Sequence, residues 1–227
     1  MQDGNIPRAT SEKKASKRKS RKISSADALL NAVSELFMER RSLDISFSDI
    51  AQKSGLNSAL IKYYFGNKDG LLLALIERDA SQSLVALNAL LEMDLTADRK
   101  MRIHIAGIIN SYHRSPHLNR LLHYLIGNGE TDASKKIANF FVKPVVEAQR
   151  AILEQGEREG VFRQVDAEMF YFSMVGACDH LFFATHSLQS LFGELQVTED
   201  LRRRYTSHVT DIYMTALAEP RDKGAAD

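Results

Sequence analysis

The stretch from Phe47 to Lys68 restricts the possible folds of this chain more than any other part of it. Ser46 followed three positions on by Asp49 is a shortened capping-box pattern, so a helix is predicted to begin near Phe47. Phe47, Ile50 and Ala51 recur at helical spacing and give that helix a face to bury. Gly55 stands where the chain must turn sharply, and glycine takes a positive φ at little cost. Leu56 can plug the turn. Asn57 suits the N-cap of a second helix, with Leu60, Ile61 and Tyr64 on its inward face. Phe65-Gly66 closes that helix, and Asn67 caps a third beginning Lys68-Asp69-Gly70-Leu71-Leu72. Two short helices around a glycine turn, the second aromatic and basic, form the layout of a helix-turn-helix. That motif places its second helix in the DNA major groove.

A wider set of residues carries a resemblance. A first helix with Ala28, Ala32, Leu36 and Phe37 is followed by Asp49-Ile50-Ala51, Gly55-Leu56 and Tyr63-Tyr64-Phe65. Asn67-Lys68-Asp69 then leads into Leu71-Leu72. From about Ile23 to Leu75 this resembles the DNA-binding domain of the TetR family of bacterial transcriptional repressors. The resemblance implies that Asn57 to Phe65 is the reading helix. By position, Asn57, Ser58, Ala59, Lys62 and Tyr63 face the DNA, the last four meeting base edges or nearby phosphates. Ser46, Ser48 and Lys68 hold phosphates and fix register. The family often has threonine where Ser46 stands, Gly-Thr where Ala59-Leu60 stand and tyrosine where Lys62 stands. The operator sequence therefore does not carry over.

The overall charge of +1 hides an asymmetry. Residues 1–22 hold eight Lys/Arg against two acids, whereas the rest of the chain holds 22 bases against 27 acids. Such an arm is predicted to be disordered when free, and beside a helix-turn-helix it can lie along phosphates or reach the minor groove. The rest of the composition, 44% hydrophobic and 26% charged, is that of a soluble globular protein. No apolar run is long enough to span a membrane, and the polar N-terminus lacks the core of a signal peptide, which favours the cytoplasm.

Beyond Leu75 the chain reads as helices with short breaks, and no alternating strand pattern appears, so the fold class is all-α. Helices are predicted over about 67–93 and 97–114, and another restarts at Ser115-Pro116 and ends at Gly127-Asn128-Gly129. A long one over about 133–159 should kink at Pro144, and two more cover about 167–191 and 198–217. The organisation expected is a basic arm (1–22), a DNA-binding domain (23–70), a helical effector and dimerisation domain (71–218) and a flexible tail (219–227). In the last two helices Phe170, Met174, Ala177, Cys178, Leu181 and Leu188, and Leu201, Tyr205, Val209, Ile212 and Ala216, form apolar stripes. These fit either the chain's own core or a partner. The resemblance implies a homodimer through a four-helix interface, which matches a pseudo-palindromic double-stranded operator.

Aromatic and histidine residues concentrate in the middle of the chain. Tyr112, Phe140, Phe172 and His180 are the candidates for lining a pocket for a small apolar or aromatic effector. No cofactor is called for. His113 and His117 have the i, i+4 spacing of a metal pair, but Ser115-Pro116 interrupts the helix between them. The lone Cys178 can form no internal disulfide, and no nucleophile elbow, phosphate loop or zincin motif is present, which argues against an enzyme. The reading is a ligand-responsive transcriptional regulator, a repressor released by its effector. The alternative is a helical small-molecule-binding or interaction protein that has lost DNA binding.

Overall fold

The computed structural model describes residues 24–127, 129, 131–193 and 196–218. The basic arm and the tail over 219–227 lie outside them. Among the described residues there are helices and one isolated antiparallel bridge, Phe162 with Ala218, and no strand.

Helix α1 (Ser25–Arg40) starts where the Ser24 side chain accepts the Asp27 N–H, and it ends at Arg41 in the left-handed region, φ 50°. Helix α2 (Phe47–Ser54) opens on a complete capping box. The Asp49 N–H donates to Ser46 Oγ (3.1 Å), and the Ser46 N–H donates to Asp49 Oδ2 (2.7 Å). Gly55, φ 70°, stops it. Helix α3 (Ala59–Phe65) follows and ends at Gly66, φ 76°. Helix α4 (Lys68–Glu92) is capped by Asn67, whose side chain accepts the Gly70 N–H at 2.8 Å. Leu29, Val33, Phe37, Ile50, Ile61 and Leu72 join these four helices in one core. Truncating a fully buried leucine such as Leu72 to alanine costs about 2–5 kcal/mol.

Helix α5 (Ala97–Arg114) is the centre of the remaining bundle, packed against α4, α8 (Lys143–Arg158), α9 (Ala167–Phe183) and α11 (Glu199–Leu217). Its first turn is capped from a distance, with the Ala97 N–H donating to Glu159 Oε2 at 2.8 Å. Helix α6 (Pro116–Gly127) starts on proline, as the sequence implied.

Two predicted helices are more broken than expected. The segment over 133–159 is α7 (Asp132–Ile137), a π-helical turn (Ala138–Val142) and then α8. The single kink expected at Pro144 is instead a widened turn just before it. Proline can donate no amide hydrogen and its ring crowds the preceding turn, so the helix takes up an extra residue there. The segment over 167–191 divides at Ala184 into α9 and α10 (Thr185–Phe192).

The apolar stripes of the last helices turn out to serve mainly their own chain. Phe170, Met174, Cys178, Leu188 and Val209 are buried, and the Tyr205 hydroxyl donates to the Ala177 carbonyl at 2.5 Å. Two members of the last stripe, Ile212 and Ala216, instead face outward, as do Phe172, Phe183, Leu191 and Phe192, which belong to neither stripe. Leu191 and Phe192 are each 73% exposed.

Candidate nucleic-acid interface and effector cavity

Helix α3 has seven residues, and helical geometry divides them cleanly. Ile61 and Phe65, four apart, face the core, and Ile61 is wholly buried. Ala59, Lys62 and Tyr63 lie together on the opposite side, and all three are exposed. Tyr63, 79% exposed, meets Tyr64 edge-on with ring centroids 4.9 Å apart. Tyr64 itself is exposed, not inward as its sequence position suggested, because it falls on the flank of so short a helix. Asn57 does act at the start of α3, though one residue ahead of the assigned cap: its Oδ1 accepts the Ala59 N–H at 2.8 Å, while Ser58 makes no side-chain cap.

Helix α2 is fastened from behind. Arg40 Nη2 donates to Asp49 Oδ1 at 2.7 Å. Lys53 Nζ reaches Glu39 at 2.5 Å and Glu35 at 3.4 Å. The bond from Arg40, then those from Ser46, hold the Asp49 carboxyl far below the usual carboxylate range. Ser46, Ser48, Asn57 and Ser58 are exposed, and Lys68 is half-buried at the start of α4.

The N-terminal helices are joined to the larger bundle through a polar cluster. On α4, Arg78 donates to Asn31 Oδ1 and Ser34 Oγ of α1, both at 2.9 Å, and to its neighbour Asp79 at 2.8 Å. Asp79 Oδ2 meets His117 Nε2 of α6 at 2.6 Å, and the His117 ring stacks at a tilt on Phe37, 6.0 Å away. Burial acts to raise the Asp79 pKa, but the bonds from His117 and Arg78 outweigh it and the net shift is downward. Arg120 of α6 donates to the Arg41 carbonyl at the end of α1 and to Thr185 Oγ1 of α10 at 2.9 Å. One side chain thus touches both the N-terminal helices and the C-terminal ones.

Inside the bundle lies a cavity of about 500 Å³, within the range of drug-sized ligand sites. Its wall comes from α4, α5, α6, the π turn, α8 and α9, and is chiefly aliphatic, with Leu84, Leu87, Ile103, Ile108, Val145 and Val175. Gly107 and Gly176 help to open it, since a Cβ at either would meet nothing within 4 Å. At one place Asp179 accepts from Asn119 Nδ2 and pairs with His123 Nε2 at 2.9 Å. At another, the Ser83 and Ser111 hydroxyls lie 2.5 Å apart, and Arg114 donates to Ser83 at 3.1 Å. Tyr112 and Phe172, two of the four pocket candidates, line the cavity. Burial, then the nearby Asp179, pushes the Tyr112 phenol well above its usual range and keeps it neutral. The other two candidates do not line it. Phe140 lies in a shallow outer recess with Glu77 and Lys136, and His180 is exposed on α9, two i+4 steps beyond Phe172.

The sequence profile of the group described as "Bacterial regulatory proteins, tetR family" matches residues 29–75. A second, "Tetracyclin repressor-like, C-terminal domain", matches residues 94–223, more than half of the chain. The chain belongs to the TetR family. The regulator EthR of Mycobacterium tuberculosis is 33% identical over 73 residues, 32% of this chain. That match spans only 34% of the length of this curated relative. Among solved structures, FadR from Bacillus subtilis in complex with stearoyl-CoA superposes with a TM-score of 0.67 at 17% identity, over 84% of this chain and 98% of FadR. PfmR from Thermus thermophilus gives a TM-score of 0.63 at 20% identity, over 81% of this chain and 97% of PfmR. At these identities the likeness is one of fold.

Within this TetR-family fold, sequence reasoning overlooked His104, Asp179 and Arg120. His104 had a readable signal: it is a polar residue on the same helical stripe as Met101, Ile105, Ile108 and Tyr112. Asp179 and Arg120 had none, since their roles come from long-range contacts with α6, α1 and α10.

Proposed function

We propose that this TetR-family chain is a cytoplasmic, dimeric transcriptional repressor that reads a pseudo-palindromic operator with α3 and leaves it when an effector enters the central cavity. The observation that carries the reading is the outward face of α3. Ala59, Lys62 and Tyr63 are presented together and exposed, on a helix held by a wholly buried Ile61 and a capped, ion-paired α2 behind it. A preformed face of this kind positions side chains for base edges, with Ser46, Ser48, Asn57, Ser58 and Lys68 around it for phosphates. The arm over 1–22 adds salt-dependent contact with the backbone of the duplex.

The dimer is supported by Phe183, Leu191, Phe192 and Ile212, large apolar side chains that α9, α10 and α11 leave exposed and that suit an interface. Two symmetric readers then suit a symmetric site. The cavity, lined in part by Tyr112 and Phe172, takes a mostly apolar effector. Occupancy that favours one arrangement of α4 and α6 is passed to α1 through Arg78, Asp79, His117 and Arg120. The test is a titration of operator DNA with Lys62→Ala and Tyr63→Ala. Each variant should bind about 5- to 100-fold more weakly, with unchanged circular dichroism and an unchanged dimer. Wild-type affinity in both would remove α3 as the reader.

A further inference from the structure

His104 is a polar group of the cavity wall that the protein leaves unsatisfied. It stands on α5 one turn after Met101, is 3% exposed, and its buried Nε2 has no hydrogen-bond partner. The polar side chains of Ser83, Ser111, Asn110 and Asp179, also in the wall, are engaged already with other protein groups. Burial lowers the His104 pKa to about 4, so the ring is neutral at pH 7. An unpaired buried imidazole destabilises the empty protein, and an apolar residue would fill the same stripe without that cost. A neutral imidazole offers one donor and one acceptor to a ligand. With no counter-charge beside it, it offers little to an ion, because an ionic head would lose its hydration without a charged partner.

We infer that His104 anchors one uncharged hydrogen-bonding group, a hydroxyl or a carbonyl, on an effector whose remaining body is aliphatic. The inference rests on reading this cavity as the effector site. The aliphatic body follows from the cavity wall that His104 shares, where Leu84, Leu87, Ile103, Ile108 and Val145 are among the aliphatic residues that predominate. A ligand with an ammonium head would be drawn instead to Asp179. A carboxylate head would be drawn instead to Arg114, and at His104 it would have to bring a proton against the desolvation that keeps the ring neutral.

Calorimetric titration of the full-length protein without DNA, at pH 7.5, tests this with three probes of one chain length: 1-decanol, decylammonium and decanoate. Decanol should bind most tightly. His104→Leu should weaken decanol about tenfold, while His104→Gln, which keeps a donor and an acceptor, should retain most of the affinity. The leucine variant without ligand should melt at the same temperature as the wild type or higher. Equal decanol affinity in wild type and His104→Leu overturns the anchor, as does tighter binding of either charged probe. A leucine variant that fails to fold also overturns it, because the imidazole would then have a structural role. If none of the three probes binds the wild type, the cavity reading itself falls with the anchor.

Discussion

His104 makes acid stability a direct probe of the buried cavity wall. The ring titrates near pH 6.5 when the chain is unfolded and near 4 when it is folded, because burial opposes the imidazolium. Its folded pKa is depressed, so between these values the unfolded chain binds the extra proton and stability falls as pH falls. The contribution is complete above about pH 6.5 and is lost progressively down to about pH 4. With those two values, linkage gives a loss of about 2 kcal/mol between pH 7.5 and pH 5 from this residue alone. Urea melts followed by far-ultraviolet circular dichroism, at one fixed protein concentration, give the free energies at both pH values. Wild type should lose about 2 kcal/mol more than His104→Leu over that interval. Equal losses in the two proteins would mean that His104 reaches water or a partner in solution, and its burial against the cavity would be refuted.

Two further outcomes follow from the same geometry. Gly107→Leu should fill part of the cavity without a clash at its Cβ. Decanol affinity measured by calorimetry should then fall at least tenfold while operator affinity stays within about twofold. Removal of residues 1–22 should flatten the dependence of operator affinity on salt, by about 0.9 in the logarithmic slope for each phosphate that the arm neutralises. An unchanged slope would show that the arm neutralises none.

Much of the fold was readable because local chemistry marks helix ends. Ser46 with Asp49, Gly55, Gly66, Asn67 and Pro116 each act within a few residues, and the structure uses each at the position the sequence indicated. The breaks at 138–142 and Ala184 were less visible. The first depends on how a helix accommodates a proline, and the second has no glycine or proline to announce it. On α3, exposure followed helical phase, and the expectation for Tyr64 failed because an aromatic residue on the flank was mistaken for core. The cavity was the hardest to see. Residue type pointed to Phe140 and His180, yet a wall is defined by which side of several helices meets, and Gly107 and Gly176 shape it by what they lack. Of the outward apolar residues of α9 to α11, Ile212 came from a regular stripe, but Phe172, Phe183, Leu191 and Phe192 did not, because a helix turns most of its continuous stripe into its own core.

The central claim is that two copies of α3 read DNA together. Selection of bound duplexes from a random-sequence pool by the full-length protein tests it most directly. The account predicts enrichment of a two-fold symmetric site, with half-sites separated by one helical turn or a multiple of it, and no enrichment by a Lys62→Ala, Tyr63→Ala double variant. Enrichment of no sequence by the wild type, or of the same site by the double variant, would contradict it.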